Sequence, residues 1–193
     1  MNVTPSQISE LIQKRRAIFP KMYNDHVIPR QIIEVILENA NWAPTHRLTE
    51  PWRFKVFTGE ALKRLAQYLG DYYKQTTSAD QFSEEKYQKN MENPLRSACV
   101  IAICMQRDPE IRVPEWEEIA AVACAVQNMW LTCTVYGIGS YWGTPGAALN
   151  ANEFLRLNEG ERCLGFFYMG YHDMLELPGK RNPITEKTVW FED

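Results

Sequence analysis

The sequence predicts one domain that combines helices with β-strands. Its 193 residues, 45% hydrophobic and 23% charged, are enough to enclose a sizeable core. Residues 98–105 form an unbroken apolar run, which is typical of a central strand covered on both faces. Residues 115–136 form the longest helix candidate, and its later part is apolar on nearly every side, which indicates burial. Together these segments predict a single domain of mixed α and β structure over residues 1–193.

The first helix has a well-marked beginning. Thr4 is a candidate N-cap, Pro5 occupies the first helical position, and Gln7 can complete a capping box. We expect the helix to end near Arg15, because Phe19-Pro20 cannot continue it. Its apolar positions keep helical spacing at Ile8, Leu11 and Ile12.

A second helix, a loop and an alternating strand follow. The helix starts at Pro29 and stops before Pro44, and the segment from Thr45 to Glu50 is too polar for the core. Residues 52–57 alternate between apolar and polar side chains, as a half-buried strand does.

A third helix and a polar segment come next. Thr58 is a candidate cap, and the apolar face of this helix is Leu62, Leu65, Ala66 and Leu69. The polar segment 71–93 is expected to be helical and exposed, and to act as a mobile lid.

The glycine-rich segment 137–146 resembles a dinucleotide-binding fingerprint only loosely. It follows a helix rather than a strand, so its context excludes that interpretation. We interpret it as a helix end at Gly137, a short strand at Tyr141-Trp142 and a turn that exposes backbone N–H groups. A short helix near 153–157 and a strand at 163–171 follow.

The end of the chain is expected to form a basic turn over 177–183 and then a final strand over 188–191. That strand carries Trp190 and Phe191, which need a surface to cover them. We therefore expect the arm to cross to a partner chain.

Composition excludes several classes of protein. A net charge of −3 favours neither nucleic acid nor an anionic membrane as a partner. No apolar run approaches the roughly 18 residues of a membrane span, and residues 1–5 lack the features of a signal peptide. The acidic residues form no metal-ligand pattern, so no metal is expected.

The cysteines are expected to be buried, reduced thiols of a cytoplasmic protein. None forms a CxxC pair, all lie in apolar surroundings, and none has an evident base nearby. They are Cys99, Cys104, Cys124, Cys133 and Cys163.

Three stretches suit a flat, anionic ligand. Arg15 and Arg16 lie at a helix end, Lys180-Arg181 lies near the chain end, and Trp142-Gly143-Thr144 places an aromatic ring beside flexible backbone. Arginine suits a phosphate because its planar fork binds two oxygens. The alternative is that Arg15 and Arg16 are solvated cations that complement the helix dipole.

The other aromatic and histidine residues have simpler interpretations. His26 and His172 are expected in surface loops, whereas the Pro-x-His context of His46 favours ligand contact. The remaining tryptophans are expected in the core or an interface: Trp52, Trp116, Trp130 and Trp190.

These motifs, in this order, resemble the nitroreductase family, especially its short members. They are Arg15-Arg16-Ala17, Ala43-Pro44-Thr45-His46, Pro51-Trp52-Arg53-Phe54, the helix over 115–136, and Trp142-Gly143-Thr144. The chain departs from the family where Ala17 replaces a serine and where Leu48 and Glu50 replace an asparagine and a glutamine.

The resemblance implies an α+β fold with a mostly antiparallel sheet flanked by helices, and an intertwined homodimer that binds flavin mononucleotide (FMN) at its interface. Arg15, Arg16 and Ala17 would meet the phosphate and ribitol, while Trp142, Gly143 and Thr144 flank the ring or phosphate. The basic tail of some members suggests the same role for Arg181. Trp42 and His46 would approach the same FMN from the other subunit.

The implied activity is ping-pong hydride transfer from NAD(P)H to a small nitroaromatic, quinone or other electrophilic acceptor. The flavin carries the redox chemistry, so no catalytic side chain is named. Two alternatives remain: a flavin-binding dimer without turnover, and a different flavin chemistry, such as dehalogenation or flavin breakdown, on the same fold.

Overall fold

A computed structural model describes residues 3–174 and 178–192 of the chain. The helices are α1 (Pro5–Lys14), α2 (Arg30–Asn41), α3 (Glu60–Thr76), α4 (Glu84–Leu95), α5 (Glu115–Val135), α6 (Gly146–Leu149) and α7 (Asn152–Leu155). The strands are β1 (Trp52–Phe57), β2 (Cys99–Gln106), β3 (Ile138–Gly143) and β4 (Glu161–Tyr171). Short 3-10 turns cover Pro20–Met22, His46–Leu48 and Ile184–Lys187.

The described strands form one sheet in the order β1-β2-β4-β3, and every neighbouring pair is antiparallel. The apolar run thus lies between two neighbours in β2, as the sequence predicts, with its register shifted by a bulge between Ile103 and Cys104. An isolated parallel bridge from Ala17 to Ser140 extends the sheet beyond β3. The predicted α+β class with a mostly antiparallel sheet is confirmed.

Helices cover both faces of the sheet and create two cores. The first face, with alternate residues of β2 such as Ile101 and Ile103, packs against α2 and α5. The second face, with Val100 and Ala102, packs against α3, α6 and α7. This strict alternation follows from the two-residue period of a strand, which sends successive side chains to opposite faces.

The capping motifs of the sequence largely hold. Thr4 and Gln7 form the predicted capping box on α1, and α5 is followed by Gly137 in the left-handed region (φ 66°). The third helix instead begins after Gly59, which has φ 53° and replaces the predicted cap Thr58.

The polar segment 71–93 is helical except for its middle. Its first residues complete α3, its last ones belong to α4, and residues 77–83 connect them. Gly70 allows the two helices to approach closely, since a Cβ there would lie 2.8 Å from the Met91 sulfur. The role of this segment as a lid stays a prediction.

Helix α5 is the longest described helix, and one side of it is buried. Eight of its residues lie in the interior. By length and composition alone it is apolar enough to cross a membrane, contrary to the expectation that no segment is. Its packing against the sheet and α2 is that of a core helix.

Hydrogen bonds fix the first turn of α5 to the end of β2. The Glu118 side chain is buried and accepts a 2.9 Å hydrogen bond from the Asp108 backbone N–H. It also forms an ion pair with Arg107, which in turn donates a 2.7 Å bond to the Val113 carbonyl. The neighbouring Glu115 reaches Arg162 of β4 at 3.1 Å.

Several surfaces of the single chain stay apolar and exposed. Helix α1 buries no residue, and Ile8 and Ile12 are each 50% exposed. The outer side of α5 exposes Ala120 and Cys124. A short helix with no buried side chain is marginal in water, so α1 depends on its contacts with α5.

Some sequence predictions differ from the structure in detail or stay untested. Residues 188–191 do not pair as a strand within the described chain, although Thr188 has extended backbone (φ −129°, ψ 132°). Their pairing with a partner chain stays a prediction. The predicted basic turn begins at Leu177, which lies outside the described residues. The short strand at 141–142 is the longer β3.

The exposure of single side chains also differs from expectation. Cys124 is exposed, whereas the other four cysteines are buried and all five are free thiols. Trp116 and Trp190 are 68% and 79% exposed in the single chain. His172 is half-buried and bridges to Tyr23 rather than lying in a free loop.

The buried pair of Glu118 and Arg107 gives a stability prediction. Glu118→Gln leaves the Arg107 charge without its partner, so we expect a loss of about 3 kcal/mol in the free energy of unfolding. Glu110→Gln is the control, because Glu110 is exposed and its 3.4 Å pair with Arg112 is worth little. Urea denaturation measures both; equal midpoints would contradict the structural role.

Candidate anion site beside strand β3

Two elements and the chain end bring arginines together at the end of α1. The Arg15 guanidinium lies 4.8 Å from the centre of the Trp130 ring of α5. The Trp130 indole N–H donates a 3.0 Å hydrogen bond to the Arg16 carbonyl. Gly179 lies so close to the Arg16 guanidinium that a Cβ there would overlap it. The predicted tail residues therefore do meet the first arginines.

The electrostatics of this cluster favour an anion. Burial lowers the pKa of Arg15, and the positive charges of Arg181 and Arg16 lower it further. Arginine stays charged at neutral pH all the same. Three guanidinium groups that repel one another gain when a multiply charged anion binds among them.

Backbone contacts hold the segment after α1 against β3. Ala17 forms its parallel bridge with Ser140, and the Ile18 N–H donates a 3.0 Å hydrogen bond to the Ser140 carbonyl. From Ser140 the chain continues through Trp142 and Gly143 to Thr144, about 13 Å along an extended strand. The cation cluster and this strand end thus lie along one edge of the sheet.

Trp142 carries a polar atom without a partner. Its indole nitrogen is buried and makes no hydrogen bond within the described part of the chain. The ring fits there because Gly165, at φ 140°, has no side chain; a Cβ would lie 2.6 Å from the Gly143 carbonyl oxygen. A buried donor without an acceptor is unfavourable, and a ligand atom is one way to satisfy it.

A cleft of about 500 Å³ opens beside β3 on the face of the sheet opposite to Trp142, because Tyr141 packs with the second core and Trp142 with the first. The rings of Phe19 and Tyr141 lie 4.6 Å apart on one side of it. Helix α4 forms the other side, with the amide side chains of Gln88 and Asn93. An aromatic wall opposite polar groups suits a planar ligand with polar edges.

The predicted residues Trp42 and His46 lie elsewhere. Trp42 ends α2, is 78% exposed and donates a 3.0 Å hydrogen bond to Glu38. The His46 ring contacts Glu117 in the first turn of α5, with Nδ1 2.5 Å from a carboxylate oxygen. Thirteen residues separate Glu117 from Trp130, which is about 20 Å along a helix. One chain therefore does not bring His46 to the arginine cluster.

The sequence did not identify every residue that shapes the site. It assigned Trp130 only to the core or an interface; Trp130 lies about a turn and a half before the end of α5. Gly165 and Gly179 shape the site because another residue lies where their side chain would be. The sequence does not show which glycines are approached in this way. The partner of His46 was also missed, because 71 residues separate the two.

The fold defines the class of protein. The structure resembles that of a nitroreductase-like protein from Bacillus cereus, with a TM-score of 0.81, 28% identity and full coverage of both chains. It also resembles FMN-dependent nitroreductase NfnB from Mycobacterium smegmatis, solved with NADPH, with a TM-score of 0.76 and 18% identity over 98% of this chain and all of that one. The fold is that of the nitroreductases.

The chain belongs to the nitroreductase family. The model of that family matches residues 12–171. A relative, the candidate NAD(P)H nitroreductase YfhC of Bacillus subtilis, is 30% identical over 187 residues, which cover 94% of this chain and 93% of YfhC. The matched region contains the arginine pair, β3 and the whole of α5.

The arginine cluster gives a prediction that needs no cofactor. Inorganic phosphate should raise the melting temperature of the protein more than chloride at equal ionic strength, because it neutralises several guanidinium charges at once. Arg15→Gln should remove most of this difference. Differential scanning calorimetry measures it, and equal shifts in both proteins would exclude the cluster as the anion site.

Proposed function

We propose that the protein is an FMN-dependent oxidoreductase that transfers hydride from NAD(P)H to a small electrophilic acceptor such as a nitroaromatic or a quinone. The observation that carries the proposal is the cluster of Arg15, Arg16 and Arg181 around Trp130, next to the end of β3. Family membership supports it, as do nitroreductases of this fold solved with FMN, including one from Bacteroides fragilis.

The residues present fit a phosphorylated flavin. The guanidinium groups suit its dianionic phosphate. The Trp142 indole N–H, which has no hydrogen-bond partner within the described residues, and the exposed strand end at Thr144 offer donors to the polar edge of the ring.

We infer that the protein works as a homodimer with paired α5 helices. The outer side of α5 is lined by small residues, which let two helices approach closely, and it exposes Ala120 and Cys124. If two copies cross antiparallel midway between Glu117 and Trp130, near Ala123, then Glu117 of each lies beside Trp130 of the other. Trp42 and His46 of one subunit then face the arginine cluster of its partner.

The exposed arm supports the same assembly. Val189, Trp190 and Phe191 are between 77% and 89% exposed in the single chain. Side chains of this size at a chain end gain most by covering a partner's surface. The free edge of β1 and the exposed stripe of α1 are surfaces of the kind that such an arm covers.

In this proposal the cofactor and the residues around it have separate roles. Bound FMN would supply the redox chemistry, the carriage of hydride between NAD(P)H and the acceptor. Arg15, Arg16 and Arg181 would hold its phosphate and fix its orientation. Trp142, Gly143 and Thr144 would position its ring edge. The buried thiols point to a reducing, cytoplasmic setting.

A flavin-binding dimer without turnover is the second candidate. Two observations favour it: Ala17 offers no hydroxyl to a phosphate, and Leu48 and Glu50 have left-handed backbone (φ 53° and 41°) but no amide side chain. An ionised Glu50 accepts but does not donate hydrogen bonds. Bound flavin that neither nicotinamide reduces would identify this case.

The cofactor assignment gives a direct prediction. Purified protein, or apo-protein mixed with FMN, should show bound-flavin absorbance that bleaches on adding NADH or NADPH under argon. Arg15→Ala should weaken FMN binding by about a hundredfold. A charged contact to phosphate is worth about 1.5–3 kcal/mol, and the contacts of Arg16 and Arg181 to the same phosphate depend on Arg15 holding it in place.

The control for this experiment is Arg30→Ala. Arg30 also lies at a helix end, but its side chain is 87% exposed and, among the residues that the structure describes, it pairs with Glu34. It should bind FMN as the wild type does. Colourless wild-type protein that rejects added FMN would overturn the proposed function, and equal binding by both variants would remove the phosphate role of Arg15.

The dimer gives a second prediction. Sedimentation of the wild type should give twice the chain mass of 22.5 kDa, and Ala123→Arg should give a monomer, because it places two like charges where the helices cross. Gln67→Arg, on the exposed face of α3, should stay dimeric. A monomeric wild type at micromolar concentration would contradict the paired α5 helices.

A further inference from the structure

We propose that Glu117 is a positioning residue that holds the His46 imidazole as a hydrogen-bond donor to the phosphate bound by the partner subunit. This inference rests on the proposed function. It assigns a task to an acidic residue in the first turn of α5 that does not itself touch the ligand.

The contact between the two residues is close and directional. Nδ1 of His46 lies 2.5 Å from a Glu117 carboxylate oxygen. The Glu117 side chain is 23% exposed, whereas that of His46 is 58% exposed. Within the described residues Nε2 of His46 has no hydrogen-bond partner, so the ring is tethered on one side and open on the other.

The other two acids of the same turn have different tasks. Glu115 pairs with Arg162 of β4, and Glu118 is buried against Arg107 and the Asp108 backbone. Both therefore fasten α5 to the sheet. Glu117 instead contacts the loop after α2, through His46. It therefore holds that loop in place relative to α5.

The loop needs such a tether because its backbone is strained. Arg47, Leu48 and Glu50 all have positive φ values between 41° and 53°. Non-glycine residues in this region cost energy and persist only where surrounding contacts hold them. The Thr45 hydroxyl accepts a 3.1 Å bond from the Glu50 N–H, which closes the loop behind His46.

The chemistry of imidazole then defines the ligand. A carboxylate accepts from Nδ1–H and fixes the ring plane with Nε2 turned outward. Nε2 donates to an anion when the ring carries both protons, and in that form it also carries positive charge. Such a group suits an anion. The antiparallel crossing of two α5 helices near Ala123 directs the His46 imidazole at the partner's arginine cluster, where we place the phosphate.

The test uses the affinity for FMN and for riboflavin, which lacks the phosphate. Glu117→Gln keeps the shape of the side chain and removes its charge. We expect it to weaken FMN binding by about tenfold, measured by quenching of flavin fluorescence in the apo-protein, and to change riboflavin binding less than twofold. His46→Gln should give the same pattern.

Two comparisons separate positioning from folding. Glu115→Gln removes the same charge two positions earlier in the chain and should leave FMN affinity unchanged. The double variant His46→Gln, Glu117→Gln should be no weaker than His46→Gln alone, because Glu117 acts only through the imidazole. Melting curves of all variants without ligand should agree within a few degrees.

Mixed dimers test the partner relation. Co-expressed Arg15→Ala and His46→Gln subunits, purified through two different tags, contain one site with both changes and one site with neither. We therefore expect one FMN per mixed dimer to bind with wild-type affinity. If both groups belonged to the same subunit, no site in the mixed dimer would recover.

Each contrary result has a distinct meaning. Wild-type protein that binds no FMN overturns the proposed function and this inference with it. If the wild type binds FMN, then equal loss of riboflavin and FMN affinity, additive losses in the double variant, or unchanged FMN affinity in Glu117→Gln overturns the inference alone.

Discussion

Helix α5 has apolar side chains on more than one side. The single chain buries only one of these sides. The inner side, with Val122, Val126 and Met129, is packed against the sheet and α2. The outer side presents small residues and a free thiol to solvent. Since apolar surface of this extent is rarely left open, the shape of the molecule depends on how this side is covered. The same helix carries Glu117 near one end and Trp130 near the other, so the pairing of two α5 helices that we propose would decide which of these groups meet.

The three acidic residues in the first turn of α5 have different contacts. Glu115, Glu117 and Glu118 all favour the helix N-terminus through the helix dipole. Their partners nevertheless differ: a strand, a loop and a buried arginine. Helical geometry explains the division, because successive residues point about 100° apart and therefore reach different neighbours. A stretch that looks uniform in the sequence is thus three separate contacts in the structure.

The sequence predicted local features well and contacts between distant segments poorly. The capping box of Thr4 and Gln7 and the central position of β2 follow from patterns within a few residues, and both are present. Ile8 and Ile12 fit the predicted stripe of α1, yet periodicity does not reveal whether a second chain covers it. The pairing of residues 188–191 stays a prediction for the same reason, because a strand exists only where an edge accepts it.

The site shows the same limit. It also shows that a departure from the family motif can have a smaller effect in the structure than the motif alone suggests. Ala17 replaces a family serine, which suggests a damaged site when the motif is read alone. In the structure, residue 17 is held by its backbone bridge to Ser140, so the replacement removes one donor and leaves the path of the chain intact. Arg15, Arg16 and Arg181 supply positive charge at this place, and the pKa of Arg15 is lowered first by burial and then by its two neighbours. We propose that stacking on Trp130 and the close approach at Gly179 hold these cations where an anion binds among them.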